Sequence, residues 1–394
     1  MKKLIIAETH PVQYHAPVYR CAAREFGVSL MVLYGSDFSV AGYRDKEFGA
    51  SFAWDTDLLK GMENHFLSNV AEGGVRDYDS VNATGVDQAM QKLAPDAVMA
   101  LGYAHPFDRA VLDWARKHRK PLLFRGETLD HAQQRSRWKS WLRDAVLRRL
   151  YMRCSALLFV GQRSRAHYER LGVPAEKLFS SPYCVDASSF RCSEEDRAAL
   201  RGPTRERLWI GDKAVVILFS GKLSERKGVD LIPQAVRKLP TGLRAHVHVL
   251  FLGDGALRES LAQACALEPV VQATFAGFQN QSSLSAYYHA ADLLVLPSRA
   301  GETWGLVVNE ALMHGLPCVV SDKVGCQPDL VLPGRTGAVC KSGDAVSLAE
   351  ALAKVMGQLQ AKNMAADCKA VVAGYSVRAA AEGIAQAMNS VCRG

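Results

Sequence analysis

The chain has 394 residues, of which 48% are hydrophobic and 22% are charged, and its formal net charge is +8. This composition is typical of a soluble globular protein and excludes a disordered or fibrous chain, while the length predicts two domains. The charge is modest for this length, so it favours an anionic partner at some part of the surface and does not indicate nucleic acid.

The ten cysteines are scattered, without a C-x-x-C pair or a zinc-finger arrangement with histidines. We interpret them as buried thiols of a protein in the reducing cytosol. The chain begins like a signal peptide, but its apolar run is short and is broken by Glu8, His10 and Pro11. No later run approaches the roughly eighteen apolar residues that a membrane-spanning helix requires. We therefore predict a cytoplasmic protein that does not cross a membrane.

Short apolar runs that end in glycine or polar residues recur through the first half of the chain and predict buried parallel strands. Between two of them, "FDRAVLDWARKH" at 107–118 has apolar residues three and four apart, which predicts a helix. Alternating strands and helices predict a doubly wound α/β sheet. The apolar runs begin at Lys3, Val28, Asp96, Pro121 and Ser155.

Residues 186–213 are polar and charged, which is typical of a connector between domains. A second series of apolar runs follows it, so the sequence predicts two Rossmann-like, doubly wound domains that face a cleft. We expect an N-terminal domain over 1–190, a C-terminal domain over 205–375 and a final helix within 376–394. The second series of runs begins at Ala214, His246, Val271, Asp292 and Pro317.

Two lysines and a helix start are predicted at the edge of the second sheet where ligands bind, beyond the carboxyl ends of the strands. Lys222 and Lys227 follow the run "VVILFSG", and a helix is expected to open near Trp304, after the run "LLVLPS". If those two strands are neighbours, both ammonium groups and the positive end of the helix converge on one anion. A diphosphate fits such a pocket without a metal ion.

Two glutamates eight residues apart lie around the same helix start. Glu302 is outside the helix, where it can accept hydrogen bonds from sugar hydroxyls. Glu310 lies on nearly the same face, where it can hold the two hydroxyls of a ribose. Gly305 would let the backbone approach a ligand closely. Because an E-x7-E pair often arises by chance, the interpretation depends on the lysines and the strands beside it.

The segment 301–331, "GETWGLVVNEALMHGLPCVVSDKVGCQPDLV", resembles the E-x7-E segment of retaining GT-B-fold glycosyltransferases, the nucleotide-sugar-dependent family called group 1 or family 4. "FSGKLSERKGVDLI" is similar to that family's turn of a glycine, a basic residue and Lys-Gly. The segments "FLGDG", "AGFQNQSSLSAYYHAADLLVLPS" and "GRTGAVC" follow in the family's order and spacing. The resemblance covers about 155–377 well and the earlier part of the chain only loosely.

The resemblance implies a donor site in the C-terminal half, with Lys222 and Lys227 on the diphosphate, Glu302 at the sugar and Glu310 at the ribose. Family members generally transfer the sugar with retention and without a metal ion. The resemblance also implies that the N-terminal domain holds the acceptor and that the final helix returns toward that domain. Lys222 stands where an arginine is commoner, which retains the charge and loses the bidentate fork. The remaining residues of the implied donor site are Gly277 and Phe278 near the base, Gly253 at a turn, and the backbone amides of Thr303, Trp304, Gly305 and Leu306.

The acceptor-activating group is left open by the sequence. No glycine-rich loop follows the first strand, where "ETHPVQYHAP" stands instead. Glu127 follows from strand placement, because it comes two residues after the run "PLLFR". His10, His105 and His131 are competing contributors at the reaction centre, and a surface histidine without a catalytic role is the alternative for each.

Residues 131–153 form a basic segment with a single acidic residue, Asp144. A basic amphipathic helix with tryptophans can lie on an anionic membrane surface. The alternative is a helix that packs by its apolar stripe and leaves its arginines in water. The apolar residues at helical intervals are Trp138, Trp141, Leu142, Val146 and Leu150.

These observations predict a metal-independent, retaining hexosyltransferase of the cytoplasm, peripheral on the inner face of the cell membrane. It would move a hexose or N-acetylhexosamine from a nucleotide diphosphate sugar to a glycan or lipid-linked acceptor in polysaccharide or glycoconjugate synthesis. A UDP-sugar is the first expectation and GDP-mannose the second, and no cofactor is expected beyond this co-substrate. The alternatives are a sugar-nucleotide epimerase of the same architecture and a non-catalytic nucleotide-sugar-binding protein.

Overall fold

The computed structural model divides the chain into two compact units. The first unit contains Met1–Thr128, Arg135–Cys184 and Ser376–Gly394, and the second contains Val185–Tyr375. No helix among the described residues is long and apolar enough to span a bilayer. The structure describes residues 2–41, 43–44, 51–52, 57–128, 130, 137–267, 271–359 and 364–392.

The first unit is built on a seven-stranded parallel sheet with the strand order β5-β2-β1-β6-β7-β8-β9, and β3 and β4 form a separate antiparallel pair. The strands are β1 (Leu4–Glu8), β2 (Leu30–Tyr34), β3 (Tyr43–Arg44), β4 (Ser51–Phe52), β5 (Asn64–Phe66), β6 (Ala97–Ala100), β7 (Leu122–Arg125), β8 (Ala156–Phe159) and β9 (Leu178–Ser180). The helices before the second unit are α1 (Ala16–Phe26), α2 (Val86–Leu93), α3 (Pro106–Lys117), α4 (Arg137–Arg153) and α5 (Gln162–Arg170).

Both faces of this sheet are buried, because successive side chains of each strand point to opposite faces. Ile5 and Ala7 of β1 belong to one core cluster, which also contains residues of α2, α3, α4 and α5. Leu4 and Ile6 belong to the other cluster, together with residues of α1. Because both faces are buried, the sequences of these strands are continuous apolar runs and do not alternate between apolar and polar residues.

The second unit is built on a six-stranded parallel sheet with the order β12-β11-β10-β13-β14-β15. Its strands are β10 (Val215–Ser220), β11 (Val247–Leu252), β12 (Gln272–Gly277), β13 (Leu293–Leu296), β14 (Cys318–Ser321) and β15 (Gly337–Cys340). Its helices are α6 (Glu194–Arg207), α7 (Leu231–Lys238), α8 (Thr241–Arg244), α9 (Arg258–Ala266), α10 (Gln281–Ala290), α11 (Leu306–Met313), α12 (Gln327–Leu330), α13 (Ala345–Gln358) and α14 (Met364–Val372).

The polar stretch that suggested a connector contains α6, which packs on α10 within the second unit. The helix begins with a capping box between Ser193 and Asp196. Arg201 and Arg205 both bind the carboxylate of Asp292, at 2.5 Å and 2.7 Å. The charged composition of this stretch therefore reflects an ion-pair network that attaches the helix to the start of β13.

The last helix, α15 (Val377–Cys392), belongs to the first unit and packs on α1, β8 and β9. Ser181 Oγ donates a hydrogen bond to the carbonyl of Ala380 at 2.9 Å. Gly383 is required at its position, because a Cβ there would lie 1.8 Å from the carbonyl oxygen of Ser180. The chain therefore ends against the sheet with which it began.

All ten predicted strands are present, and the prediction of an α/β fold with two parallel sheets is confirmed. The structure adds β3, β4, β5, β9 and β15, which are two to four residues long. Strands of two or three residues carry too few residues for a hydrophobic period to be recognised.

Candidate functional site

The strands that carry the candidate residues are neighbours in the second sheet, as the prediction required. β10 pairs with β13, and Leu218 lies opposite Leu294. The loop after β13 is also tied to the loop after β10, because the backbone amide of Arg299 donates to the carbonyl of Arg226 at 2.8 Å. The guanidinium of Arg226 in turn donates to the carbonyl of Gly301 at 3.0 Å. These contacts bring the two loops together at the carboxyl edge of the sheet.

A mostly buried ion pair lies between these loops. The ammonium Nζ of Lys227 donates to Oε2 of Glu302 at 2.5 Å, and the two side chains are 14% and 11% exposed. Ser298 Oγ donates to the same carboxylate oxygen at 3.1 Å. Lys227 is therefore held by a carboxylate, and only part of its charge can serve an anionic ligand. The sequence predicted Lys227 on a diphosphate and did not predict this pair.

The turn between Glu302 and α11 is shaped by glycine and by two backbone hydrogen bonds. Gly305 has φ +98°, the left-handed region that glycine tolerates. The amide of Gly325 donates to the carbonyl of Glu302 at 3.0 Å, and that of Cys326 to the carbonyl of Trp304 at 2.9 Å. A Cβ at Gly325 would lie 1.9 Å from the carbonyl oxygen of Thr303, so the two loops can approach only because this residue is glycine.

The helix begins at Leu306, two residues after Trp304, near which its start was predicted. Glu310 is consequently its fifth residue, a little over one turn inside, where two turns were expected. The first amides of a helix have no partner within it, and here the amide of Val308 donates to the carbonyl of Gly305, just before the helix, at 2.9 Å. Trp304 contributes no ring to this edge, because its indole is buried and its Nε1 donates to Asn309 Oδ1 at 2.8 Å.

Glu310 is buried, with 3% of its surface exposed. The hydroxyl of Tyr288 donates to its Oε2 at 2.6 Å. Behind this pair, His314 Nδ1 donates to the carbonyl of Glu310 at 2.7 Å, and the ring of His314 stacks on Tyr288 with 4.9 Å between centroids. Burial lowers the pKa of His314 to about 4, so the imidazole is neutral at pH 7. The sequence identified Glu310 and missed Tyr288 and His314, although His314 follows Glu310 at the four-residue spacing of one helix face.

The remaining donor-site candidates lie at the carboxyl ends of β10, β11 and β12. Lys222 is half-buried in the loop after β10. The amide of Gly253 donates to the carbonyl of Gly277 at 2.9 Å, and a Cβ at Gly253 would lie 2.0 Å from the carbonyl oxygen of Gly221. Gly253 thus allows two loops to meet, which is a structural role. Phe278, directly after β12, is 41% exposed.

The candidates in the first unit differ from one another. Glu127 is exposed, two residues beyond the carboxyl end of β7. His105 caps α3, because its Nδ1 accepts from the amide of Phe107 at 3.3 Å, while its Nε2 lies 3.1 Å from the carbonyl oxygen of Tyr78. Both of its ring nitrogens therefore have backbone partners. Burial lowers the pKa of His10, whose Nδ1 lies 3.0 Å from Thr9 Oγ1. His131 lies outside the described residues.

A buried acid and base pair at the end of β1 was not predicted. Glu8 Oε1 is hydrogen-bonded to His15 Nδ1, and both residues are buried. Burial, and next the nearby Glu8 carboxylate, raise the pKa of Tyr19 well above its usual value. The sequence feature that could have indicated this pair is Glu8, the carboxylate that ends the first apolar run. Among the described residues, no group of three or more histidine, cysteine, aspartate or glutamate side chains is arranged to hold a metal ion.

Residues 202–370 match the family described as glycosyl transferases group 1. Residues 66–184 match the family described as glycosyl transferase 4-like domain. The chain belongs to the group 1 glycosyltransferases. The first of these matches contains every candidate donor-site residue of this glycosyltransferase, from Lys222 to Glu310.

Two curated relatives are similar over about half of their own length. The chain is 30% identical over 182 residues to the lipopolysaccharide 1,2-N-acetylglucosaminetransferase of Salmonella typhimurium, with 44% of this chain and 45% of that protein covered. It is 30% identical over 222 residues to the GDP-mannose-dependent alpha-(1-6)-phosphatidylinositol monomannoside mannosyltransferase of Mycolicibacterium smegmatis, with 54% and 55% covered.

Solved structures of similar fold cover nearly the whole chain. The structure of HepE from Anabaena in complex with UDP and glucose superposes with a TM-score of 0.72 at 18% identity, over 99% of this chain and 100% of that chain. WaaG, a glycosyltransferase involved in lipopolysaccharide biosynthesis, superposes with a TM-score of 0.66 at 17% identity, over 97% and 98%. At these identities the likeness establishes the fold, and the predicted GT-B architecture is confirmed.

Proposed function

We propose that the chain is a retaining, metal-independent hexosyltransferase that moves a hexose or N-acetylhexosamine from a nucleotide diphosphate sugar to a glycan or lipid-linked acceptor. The observation that carries this proposal is the mostly buried pair of Lys227 and Glu302 beside the start of α11. In this proposal the carboxylate binds sugar hydroxyls, while the ammonium group and the first amides of α11 bind the phosphates.

Stabilisation of the leaving group supplies the main catalytic effect. As the anomeric bond breaks, negative charge develops on the diphosphate. Lys222, the remaining N–H bonds of Lys227 and the amides at the start of α11 donate to it. Ser298 and Lys227 fix Glu302, so that its carboxylate orients the sugar without reorganisation. Tyr288 does the same for Glu310 at the ribose.

No side chain of the second unit is proposed as a nucleophile, so the acceptor attacks on the face from which the diphosphate departs. Glu127 is the group proposed to accept the acceptor's proton, because it is exposed directly beyond β7. A UDP-sugar is the first candidate donor, since the similar HepE structure contains UDP and glucose. GDP-mannose is the second, since the mycobacterial relative is GDP-mannose-dependent.

The chain is further proposed to act in the cytoplasm, in polysaccharide or glycoconjugate synthesis, with α4 against the anionic inner face of the cell membrane. Trp138 and Trp141 are 65% and 73% exposed, and Leu142 and Val146 are also exposed. The apolar stripe of α4 is therefore mostly in water, whereas the alternative interpretation required it to be packed. Basic helices with exposed tryptophans bind anionic bilayer surfaces.

The experiment is a thermal-shift screen of nucleotide sugars followed by product analysis with the donor that stabilises the chain most. We expect slow release of the nucleoside diphosphate with donor alone. In Glu302→Gln this release should fall about a hundredfold, because a charge-assisted hydrogen bond to the sugar is lost. Glu225→Gln, an exposed carboxylate of the neighbouring loop, is the matched control and should retain the activity.

Three results would contradict the proposal. An epimerised sugar nucleotide formed without acceptor would indicate the epimerase instead. Binding without any turnover would indicate a nucleotide-sugar-binding protein. Loss of turnover in a chelator would show that a divalent ion, and not the lysines and amides, neutralises the diphosphate.

A further inference from the structure

A groove lies between α3 and α4 on the first unit, with a volume of about 760 Å³. This volume falls within the range of about 300–1,000 Å³ that is common for small-molecule sites. The groove extends toward the amino ends of β7 and β8, where Pro121, Leu122 and Ser155 line it. Glu127, by contrast, follows the carboxyl end of β7. Glu127 is not among the lining residues of the groove, although Tyr103, which follows the carboxyl end of β6, is one of them.

The inner wall of the groove is apolar. Leu112 and Ala115 contribute from α3, and Val146 and Leu150 from α4. Val146 is 58% exposed, so this wall is open to water. Apolar surface left open in a concave site is covered favourably by an apolar ligand, at roughly 25 cal/mol per Å² of area removed from water.

The rim of the groove is strongly cationic. Among the lining residues that the structure describes, Asp113 is the one carboxylate, and it is paired with Arg116 at 3.2 Å. Arg109 is fixed in place, because its Nε and Nη2 donate to the carbonyl of Ala104 at 3.0 Å and 2.7 Å. Arginine binds phosphate oxygens through a planar, bidentate fork. The cationic lining residues are Arg109, Arg116, Arg119, Lys120, Arg149 and Arg153.

The groove offers few partners to a sugar or a nucleoside. Tyr103 and Ser155 are the uncharged polar side chains among its described lining residues. A sugar presents several hydroxyls, and burying them without hydrogen bonds is unfavourable. The ligand that satisfies both the apolar wall and the cationic rim has an anionic head and an apolar body.

The groove is continuous with the exposed apolar face of α4. Trp138, Leu142 and Val146 follow one another at four-residue intervals, which places them on one side of the helix. Val146 lines the groove, and Trp138 and Leu142 extend the same side beyond it. An acyl chain can thus leave a bilayer along this side without crossing a polar surface.

We propose that this groove binds a single anionic phospholipid, with its phosphate on the arginines of the rim and the upper part of an acyl chain on the apolar wall. The site is more specific than the broad membrane contact proposed for α4. It can be absent even if that contact and the transferase activity both exist.

The test uses the full chain and dihexanoyl phosphatidic acid below its micellar concentration, measured by isothermal titration calorimetry. We expect saturable binding with one site per chain, and at least tenfold weaker binding of dihexanoyl phosphatidylcholine, which carries no net charge. Inorganic phosphate at millimolar concentration should not displace the lipid. Displacement by phosphate alone, or equal binding of the two lipids, would overturn the proposal.

A matched pair of double variants separates the groove from the general charge of the helices. Arg116→Gln with Arg149→Gln removes one rim cation from α3 and one from α4. Lys117→Gln with Arg148→Gln removes the neighbouring, exposed cations that do not line the groove. At about 1 kcal/mol per cation, the first double variant should weaken binding of the soluble lipid about thirtyfold, and the second should leave it unchanged. An equal loss in both would refute a defined site.

The apolar wall has its own pair of variants. Val146→Gln and Leu142→Gln are both exposed positions of α4, so neither should impair folding. Only Val146→Gln should weaken the binding of the soluble lipid, by about fivefold. Sedimentation with vesicles should depend on both residues. If the variants lose vesicle binding but all of them still bind the soluble lipid unchanged, the proposed membrane contact of α4 is supported and the lipid-binding groove is refuted.

Discussion

The two glutamates of the E-x7-E segment lie in different surroundings. Glu302 is paired with a cation and a serine hydroxyl, and its side chain is 11% exposed. Glu310 is buried against Tyr288 and is oriented by the histidine behind it. The spacing predicted a shared side of the helix, and the structure shows that both carboxylates are held by neighbouring side chains, Glu302 by Lys227 and Ser298 and Glu310 by Tyr288.

Removal of the Tyr288 hydroxyl tests this fixed orientation. We expect Tyr288→Phe to raise the KM for the donor about tenfold with little change in kcat, because a hydrogen bond to a buried carboxylate contributes about 1.5–3 kcal/mol. Tyr287→Phe is the control, since that neighbouring residue is equally buried and makes no contact with Glu310 among the described interactions. A fall in kcat with unchanged KM would show that Tyr288 acts on the reaction and not on donor binding.

The charged residues of the candidate donor site could be identified from the sequence, but the side chains with which they pair could not. Lys222 and Lys227 are visible in the sequence because both follow the apolar run "VVILFSG" within six residues, and Glu302 and Glu310 are visible because of their eight-residue spacing and the family resemblance. That Lys227 binds Glu302 follows only from the adjacency of β10 and β13, which brings together residues 75 apart in the chain. Ion pairs of this kind depend on packing that local sequence does not encode.

At the scale of elements, the long apolar strands were predictable because burial on both faces leaves a continuous run. The start of α11 was predicted near Trp304 and lies two residues later, at Leu306, because Gly305 takes the left-handed conformation just before the helix. Helix α4 was ambiguous for a physical reason. It has one apolar side at Leu147 and Tyr151, which is buried, and another at Trp138 and Leu142, which is exposed. Periodicity alone cannot show which side packs.

Charge reversal on α4 tests the proposed membrane contact. Arg148→Glu with Arg149→Glu should reduce cosedimentation with vesicles of phosphatidylcholine and phosphatidylglycerol at least thirtyfold, because each basic residue near an anionic surface contributes about 1 kcal/mol. Binding of the unmodified chain should weaken as salt is raised. The same charge change at Lys213 and Lys354, exposed residues of the second unit, is the control. Equal losses of vesicle binding in both double variants would show that the effect comes from the net charge of the chain and not from α4.

At the scale of the whole molecule, the two-sheet architecture was predictable and the position of the chain's end was expected only from the family resemblance. Helix α15 covers the face of the first sheet on which Leu4 and Ile6 lie, with Ala380 and Ile384 fully buried. Alanine-rich helices of this kind have a weak pattern, because small residues suit either water or close packing. The partner of such a helix is set by tertiary structure.

A variant of α15 measures how much the first unit depends on it. Ile384→Ala should destabilise the first unit by about 3 kcal/mol, since a fully buried isoleucine is truncated. Amide hydrogen exchange in β1 should accelerate about a hundredfold, with no change in β10 of the second unit. Glu382→Ala, an exposed neighbour on the same helix, should leave both strands unaffected. Equal acceleration in β10 would show that the two units unfold together.

The return of α15 to the first sheet also bears on biosynthesis. A ribosome delivers β1 early, yet the helix that covers its apolar side emerges only after the whole second unit has been made. During that interval the nascent first sheet exposes an uncovered apolar side to the cell. Chaperones that shield such surfaces would therefore be needed longest by the first unit, whose strands are translated before the second unit.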